Sequence, residues 1–81
     1  MMSATRRVAE LLSVPEGFVI ELCEAGIVVI DNDSLHLEHV VERVRVSWTL
    51  RHELGVNLAG IEVALHLLSV IHRDRQHLSE K

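Results

Sequence analysis

TRRVAELLSVPEGFVIELCEAG, residues 5–26, carries the punctuation of two short helices joined by a tight turn. Val8, Leu11 and Leu12 fall at i, i+3 and i+4, a spacing that puts them on one helical face. Pro15 interrupts that pattern. It can also open a second helix, because the first turn of a helix leaves its N–H groups unpaired anyway. Ser13 is a candidate cap for this second helix. Phe18, Val19, Leu22 and Cys23 then form its apolar face, and Gly26 suits the left-handed backbone that closes a helix. The pair reads as a helix-turn-helix over 5–26.

Beyond Gly26 the pattern changes. Ile27-Val28-Val29-Ile30 is a β-branched run, Asp31-Asn32-Asp33 is a polar turn, and Ser34 to Leu37 can return. Strand, turn, strand over 27–37 predicts a two-stranded hairpin, the wing of a winged helix-turn-helix. Leu37, Val40, Val41, Val44 and Trp48 then follow a helical register. Val44, Val46, Trp48 and Leu50 also alternate as in a strand, but the helical register covers more residues and runs on to Leu54. A helix over 38–54, ended by Gly55, is the preferred reading. Asn57 can cap a terminal helix over 57–78.

That last helix is apolar on most of its circumference. Leu58, Ile61, Leu65 and Leu68 make one stripe, Val63, Leu67 and Val70 another, with Ala64 and Ile71 at the border. Such a surface exceeds what one side of a small core needs. A homodimer is expected, with Leu58, Ile61, Leu65, Leu68 and Ile71 as its contact. The predicted fold is mostly α: one domain over 1–81, a winged helix-turn-helix with a two-stranded hairpin and a long C-terminal helix.

Composition narrows the function. The 81 residues are 48% hydrophobic, enough to build a core. Phe18 and Trp48 are the only Phe, Tyr or Trp residues, which argues against a protein that stacks nucleobases. Twelve acids against eight bases give a formal charge of −4, the wrong sign for non-specific phosphate binding. The single cysteine, Cys23, excludes an internal disulfide and suits a reducing cytoplasm. No apolar run approaches the roughly 18 residues of a membrane span. Residues 1–7 are not followed by a signal-peptide core, so neither membrane nor export is expected.

The segment from Thr49 to Ile61, TLRHELGVNLAGI, looks like a family signature. It resembles the MerR-like helix-turn-helix superfamily, and within it two branches: the CbpM-type chaperone modulators and the MerR-type heat-shock repressors. The continuation Glu62-Val63-Ala64-Leu65-His66-Leu67-Leu68 and the Leu-Arg-His-Glu-Leu run at Leu50–Leu54 favour the modulators. The similarity is strong over about Thr49 to Leu68 and looser, but in register, over Val8 to Leu37. It implies a regulator that binds the J-domain of a DnaJ-like, curved-DNA-binding co-chaperone and blocks its engagement with a DnaK-type chaperone. The chaperone-facing surface of a J-domain is basic, so a matching modulator should present acid.

Charge separates the two branches. From Pro15 to Glu42 there are seven acids, Glu16, Glu21, Glu24, Asp31, Asp33, Glu38 and Glu42, and no Lys or Arg, a local formal charge of −7 with His neutral. In a DNA-reading relative the second helix enters the major groove and needs Arg, Lys, Asn or Gln to read base edges. Here that helix and the wing would carry carboxylates toward a polyanion. Bases would have to come from Arg6, Arg7, Arg43, Arg45 and Arg51. The expected function is therefore J-domain binding through Glu16, Glu21, Glu24, Asp31 and Asp33. The alternative is a MerR-type DNA-binding transcriptional regulator of heat-shock genes. Isolated carboxylates on small helices are more often simply solvated, but the lack of any base over this span strengthens the functional reading.

Other features carry less. His36 and His39 straddle the expected wing–helix junction. His66, His72 and His77 do not repeat at i, i+4, so no metal site is expected, and no cofactor. Cys23, flanked by Glu21 and Glu24, reads as a small core hydrophobe rather than a reactive thiolate. No nucleophile, base and orienting group converge, and no Gly-rich phosphate loop is present, so no enzyme is expected. Arg43, Arg45, Arg51, Arg73 and Arg75 read as helix-surface ion pairs. Trp48, on the same helical face as Val41 and Val44, reads as core.

Overall fold

The computed structural model describes residues 3–30 and 37–79. It contains four helices: α1 (Ala4–Leu12), α2 (Glu16–Glu24), α3 (Leu37–Leu54) and α4 (Leu58–Ser79). Ser3 starts α1, its hydroxyl accepting from the Arg6 N–H at 3.2 Å. Ser13 ends α1 rather than capping α2. It sits in the left-handed region at φ 57°, its N–H donating to Glu10 while the Val14 N–H donates to Ala9. Those are the two bonds of a Schellman closure. Pro15 occupies the N-cap position of α2, with no side-chain capping bond.

Gly26 (φ 75°) and Gly55 (φ 67°) take the left-handed positions after α2 and α3. Behind Gly26 the Ile27 N–H reaches back to the Leu22 carbonyl at 2.9 Å. This bond turns the chain sharply and drops Ile27 and Val28 into the core.

The expected two-stranded hairpin is contradicted. Among the described residues there is no strand, and 27–30 form an irregular connection. Residues 31–36 lie outside the described residues, and Leu37 already belongs to α3. The apolar, β-branched character of 27–30 has another cause. Ile27 and Val28 are buried plugs under α2, while Val29 is 77% exposed. Backbone pairing is replaced by capping bonds and by Arg43, whose Nε and Nη2 donate to the Ile27 carbonyl at 3.2 and 2.9 Å. Residues 37–54 are a single helix, so the alternation of Val44, Val46, Trp48 and Leu50 does not make a strand.

The core sits where the helices meet. Val8 and Ala9 come from α1, Phe18, Val19 and Leu22 from α2, Val40 and Val44 from α3, and Ile61 and Leu65 from α4. Val14, Ile27 and Val28 fill in from the connections. Ser47 is fully buried, its hydroxyl donating to the Arg43 carbonyl at 2.7 Å within α3. Phe18 meets Trp48 edge-on, ring centroids 5.0 Å apart at 67°, and His52 stacks on the half-buried Trp48 ring at 5.0 Å.

The α3–α4 corner is tight. Asn57 caps α4, its Oδ1 accepting from the Gly60 N–H at 2.8 Å. A Cβ on Gly60 would lie 2.6 Å from Cγ1 of Val56. Among the described side chains of α4, Leu65 is the last that is buried, and the helix continues to Ser79.

Candidate docking surface

The outward face of α2 follows from which residues the core takes. Phe18, Val19 and Leu22 turn inward, leaving Gly17, Ile20, Glu21 and Glu24 exposed on the opposite side. Two of the expected partner-binding acids therefore share this face. Glu21 lies 3.7 Å from the Arg51 guanidinium, both side chains roughly half exposed. The same guanidinium stands 5.9 Å from the centre of the Phe18 ring. Arg51 thus bridges α3 to α2 and leaves the helix face dominated by Glu24 and Glu21.

Glu16 is placed differently. Its carboxylate accepts from the hydroxyls of Ser3 at 3.2 Å and Thr5 at 3.0 Å, and it is half-buried between the starts of α1 and α2. It ties the two helices together. Asp31 and Asp33 lie outside the described residues. Sequence reasoning missed Ile20, which is 39% exposed among these acids. Its neighbours along the chain are apolar or acidic, and only helical geometry separates it from Val19.

The arginines are mostly engaged within the chain. Arg6 pairs with Glu10 at 3.4 Å, Arg45 with Glu42, and Arg51 with Glu21. Arg43, expected as a surface ion pair, instead holds the Ile27 carbonyl. Arg7 is exposed and lines a groove of about 430 Å³ with Val8, Glu10, Leu11 and Leu37. Arg51 is the described arginine seen to reach the outward face of α2, at its pair with Glu21.

Cys23 is half-buried beside this surface. Burial, and secondarily the Glu24 charge, push its thiol above the ordinary range, so it stays protonated at neutral pH. Among the described residues no three His, Cys, Asp or Glu side chains converge as metal ligands would. No helix of these residues is long and apolar enough to cross a membrane.

The residues expected to form a dimer contact are divided by the structure. Ile61 and Leu65 are in the core, at 0% and 4% exposure, and Leu58 packs against it. Leu68 and Ile71 are about half exposed, as are Val63 and Leu67 of the second stripe. The outward apolar face of α4 is thus centred on Val63, Leu67 and Ile71, and Ile61 and Leu65 are unavailable to it.

Comparison with curated proteins and with solved structures gives no match. Comparison with protein families matches residues 4–80 to the one described as MerR HTH family regulatory protein. Four helices in this order, with a helix-turn-helix at their head, and a match over nearly the whole length identify the chain as a member of the MerR helix-turn-helix family of regulatory proteins.

Proposed function

We propose that this MerR-family regulator is a chaperone modulator, which binds the basic J-domain of a DnaJ-like, curved-DNA-binding co-chaperone and inhibits it. The observation that carries the reading is the outward face of α2. It presents Glu21 and Glu24 within a span, Pro15–Glu42, that has no Lys or Arg. In a DNA-reading relative the same helix meets the major groove, where carboxylates would repel phosphate. The resemblance of Thr49–Leu68 to chaperone modulators supplies the partner.

The mechanism is occlusion by complementary charge. An acidic face speeds encounter with a basic surface, and the attraction weakens as salt rises. Ile20, exposed among the acids, adds a dry centre to an otherwise charged contact. Bound to the J-domain, the modulator covers the surface that a DnaK-type chaperone needs. It works by binding, without a cofactor, in the cytoplasm where these chaperones meet.

A second reading is a transcriptional regulator of heat-shock genes, favoured by the regulatory family the chain belongs to. Parallel titrations at low salt separate the two, one against a cognate J-domain and one against a labelled operator duplex. Saturable J-domain binding with no DNA binding supports the modulator. DNA binding with a steep salt slope, and none to the J-domain, overturns it.

A further inference from the structure

Arg51, in the last turn of α3, reaches across to the acidic face of α2. Its guanidinium meets two groups there. Oε2 of Glu21 lies 3.7 Å from Nη2, and the centre of the Phe18 ring lies 5.9 Å from Cζ. Neither grip is tight. The ion pair is longer than a charge-assisted hydrogen bond, and 5.9 Å is close to the outer reach of a cation–π contact. The Arg51 and Glu21 side chains remain 40% and 47% exposed. The ring, in contrast, is fixed. Phe18 belongs to the core, and Trp48 holds it edge-on at 5.0 Å. Glu21 stands one helical turn along α2, so a rigid aromatic face and a carboxylate are presented side by side.

Such a pair suits a guanidinium better than an ammonium, because the planar group can lie on the ring while its N–H groups reach the oxygens. Arg51 itself demonstrates the fit. We propose that Glu21 and the Phe18 ring form a subsite for an arginine side chain of the basic partner, which Arg51 fills in the free protein and vacates when the partner docks. This rests on the docking role of α2 proposed above, and adds to it a defined subsite and an internal competitor. The competition follows from charge, since two guanidinium groups on one carboxylate repel each other. It also confers selectivity. A lysine-rich surface gains the attraction of the acidic face but little from the ring, whereas an arginine aimed at Glu21 gains both.

Arg51→Gln removes the competitor and keeps a polar side chain. Two titrations at low salt test it, with folding checked by an unchanged helical spectrum. One uses the cognate J-domain in a calorimeter. The other uses a short Arg-Ala peptide and follows the emission of Trp48, the chain's only tryptophan, which touches the Phe18 ring. Exposed pairs are weak, so Arg51→Gln should bind both ligands about two- to fivefold more tightly than wild type. Arg45→Gln removes the same formal charge from the exposed pair with Glu42 and should change little. In a Glu21→Gln background Arg51→Gln should bring no gain. Arg51→Gln should also prefer the Arg-Ala peptide to a Lys-Ala peptide of equal length. Binding no tighter than wild type overturns the proposal, as does an equal gain from Arg45→Gln, a gain that survives Glu21→Gln, or no preference for arginine. A protein that shows the whole peptide pattern but ignores the J-domain contradicts the chaperone-modulator reading and upholds the subsite.

Discussion

Gly60 gives a test in which the sign of the outcome decides. It stands in the first turn of α4, where replacing glycine by alanine ordinarily stabilises a helix by about 1 kcal/mol. Here the new Cβ would lie 2.6 Å from Val56 Cγ1 and 3.3 Å from Asn57 Oδ1. Val56 is half-buried against the core and β-branched, so it cannot swing its methyl aside within one rotamer. The collision belongs with overpacking, about 1–3 kcal/mol. Any shift of Asn57 also weakens the 2.8 Å bond that caps α4, and losing such a cap costs about 1 kcal/mol. The penalties exceed the propensity gain, so Gly60→Ala should destabilise the protein by roughly 1–2 kcal/mol. Urea denaturation followed by circular dichroism reads this as a lower midpoint at unchanged slope. Adding Val56→Ala removes the obstructing methyl, so Gly60→Ala should cost less in that background. A Gly60→Ala protein about 1 kcal/mol more stable than wild type would refute the account of this corner.

Two other perturbations follow from the local geometry. Ser13 holds a left-handed backbone at φ 57°, a conformation that strains any residue with a Cβ. Ser13→Gly should raise stability by about 0.5 kcal/mol, after the larger unfolded-state entropy of glycine is offset, measurable as a higher urea midpoint. The Cys23 thiol is raised by burial and by Glu24, so a disulfide-exchange reagent at neutral pH should label it more slowly in the folded protein than in urea. The linkage has a definite sign. The folded state holds this proton more tightly than the unfolded state. The corresponding stability is therefore complete below the ordinary thiol range, near pH 8.5, and declines as pH rises toward the folded value; Cys23→Ser should remove that alkaline loss in a pH series of urea midpoints.

Much of the helical architecture was written in local signals. Pro15, Gly26 and Gly55 mark boundaries because each has a backbone preference that acts within a turn of the chain. The register of Val40 and Val44 identified α3 against a competing alternation, since a helix buries one side of a long segment whatever its β-branched content. The hairpin failed for the converse reason. Ile27 to Ile30 are β-branched and apolar, as in a strand, but that composition reports burial as much as pairing. Gly26 signals the local bond from Ile27 back to Leu22, but the partner of the Ile27 carbonyl, the distant Arg43, is fixed by tertiary structure and leaves no trace in the local sequence. Ser13 was misassigned because a serine between two helices can close one or open the next.

The proposed docking surface was legible only in part. Charge counting found the acidic span but could not separate Glu16, held by Ser3 and Thr5, from Glu21 and Glu24, which face outward. Helical periodicity found two apolar stripes on α4 without saying which one the core takes. That choice depends on the angle at which α4 leaves the Gly55–Asn57 corner, and the outcome puts Ile61 and Leu65 inside and Leu67 out.

The central claim is that α2 carries an anionic docking face in place of a cationic reading head. Reversing that face tests it most directly. Glu21→Lys/Glu24→Lys changes four units of charge at two exposed positions, and the described side-chain contact at risk is the half-exposed Arg51–Glu21 ion pair between α3 and α2, worth under about 1 kcal/mol. With folding confirmed by an unchanged helical spectrum, isothermal titration at low salt should show J-domain affinity reduced at least about tenfold, or 1.4 kcal/mol. An unaltered Kd for the reversed protein would contradict it.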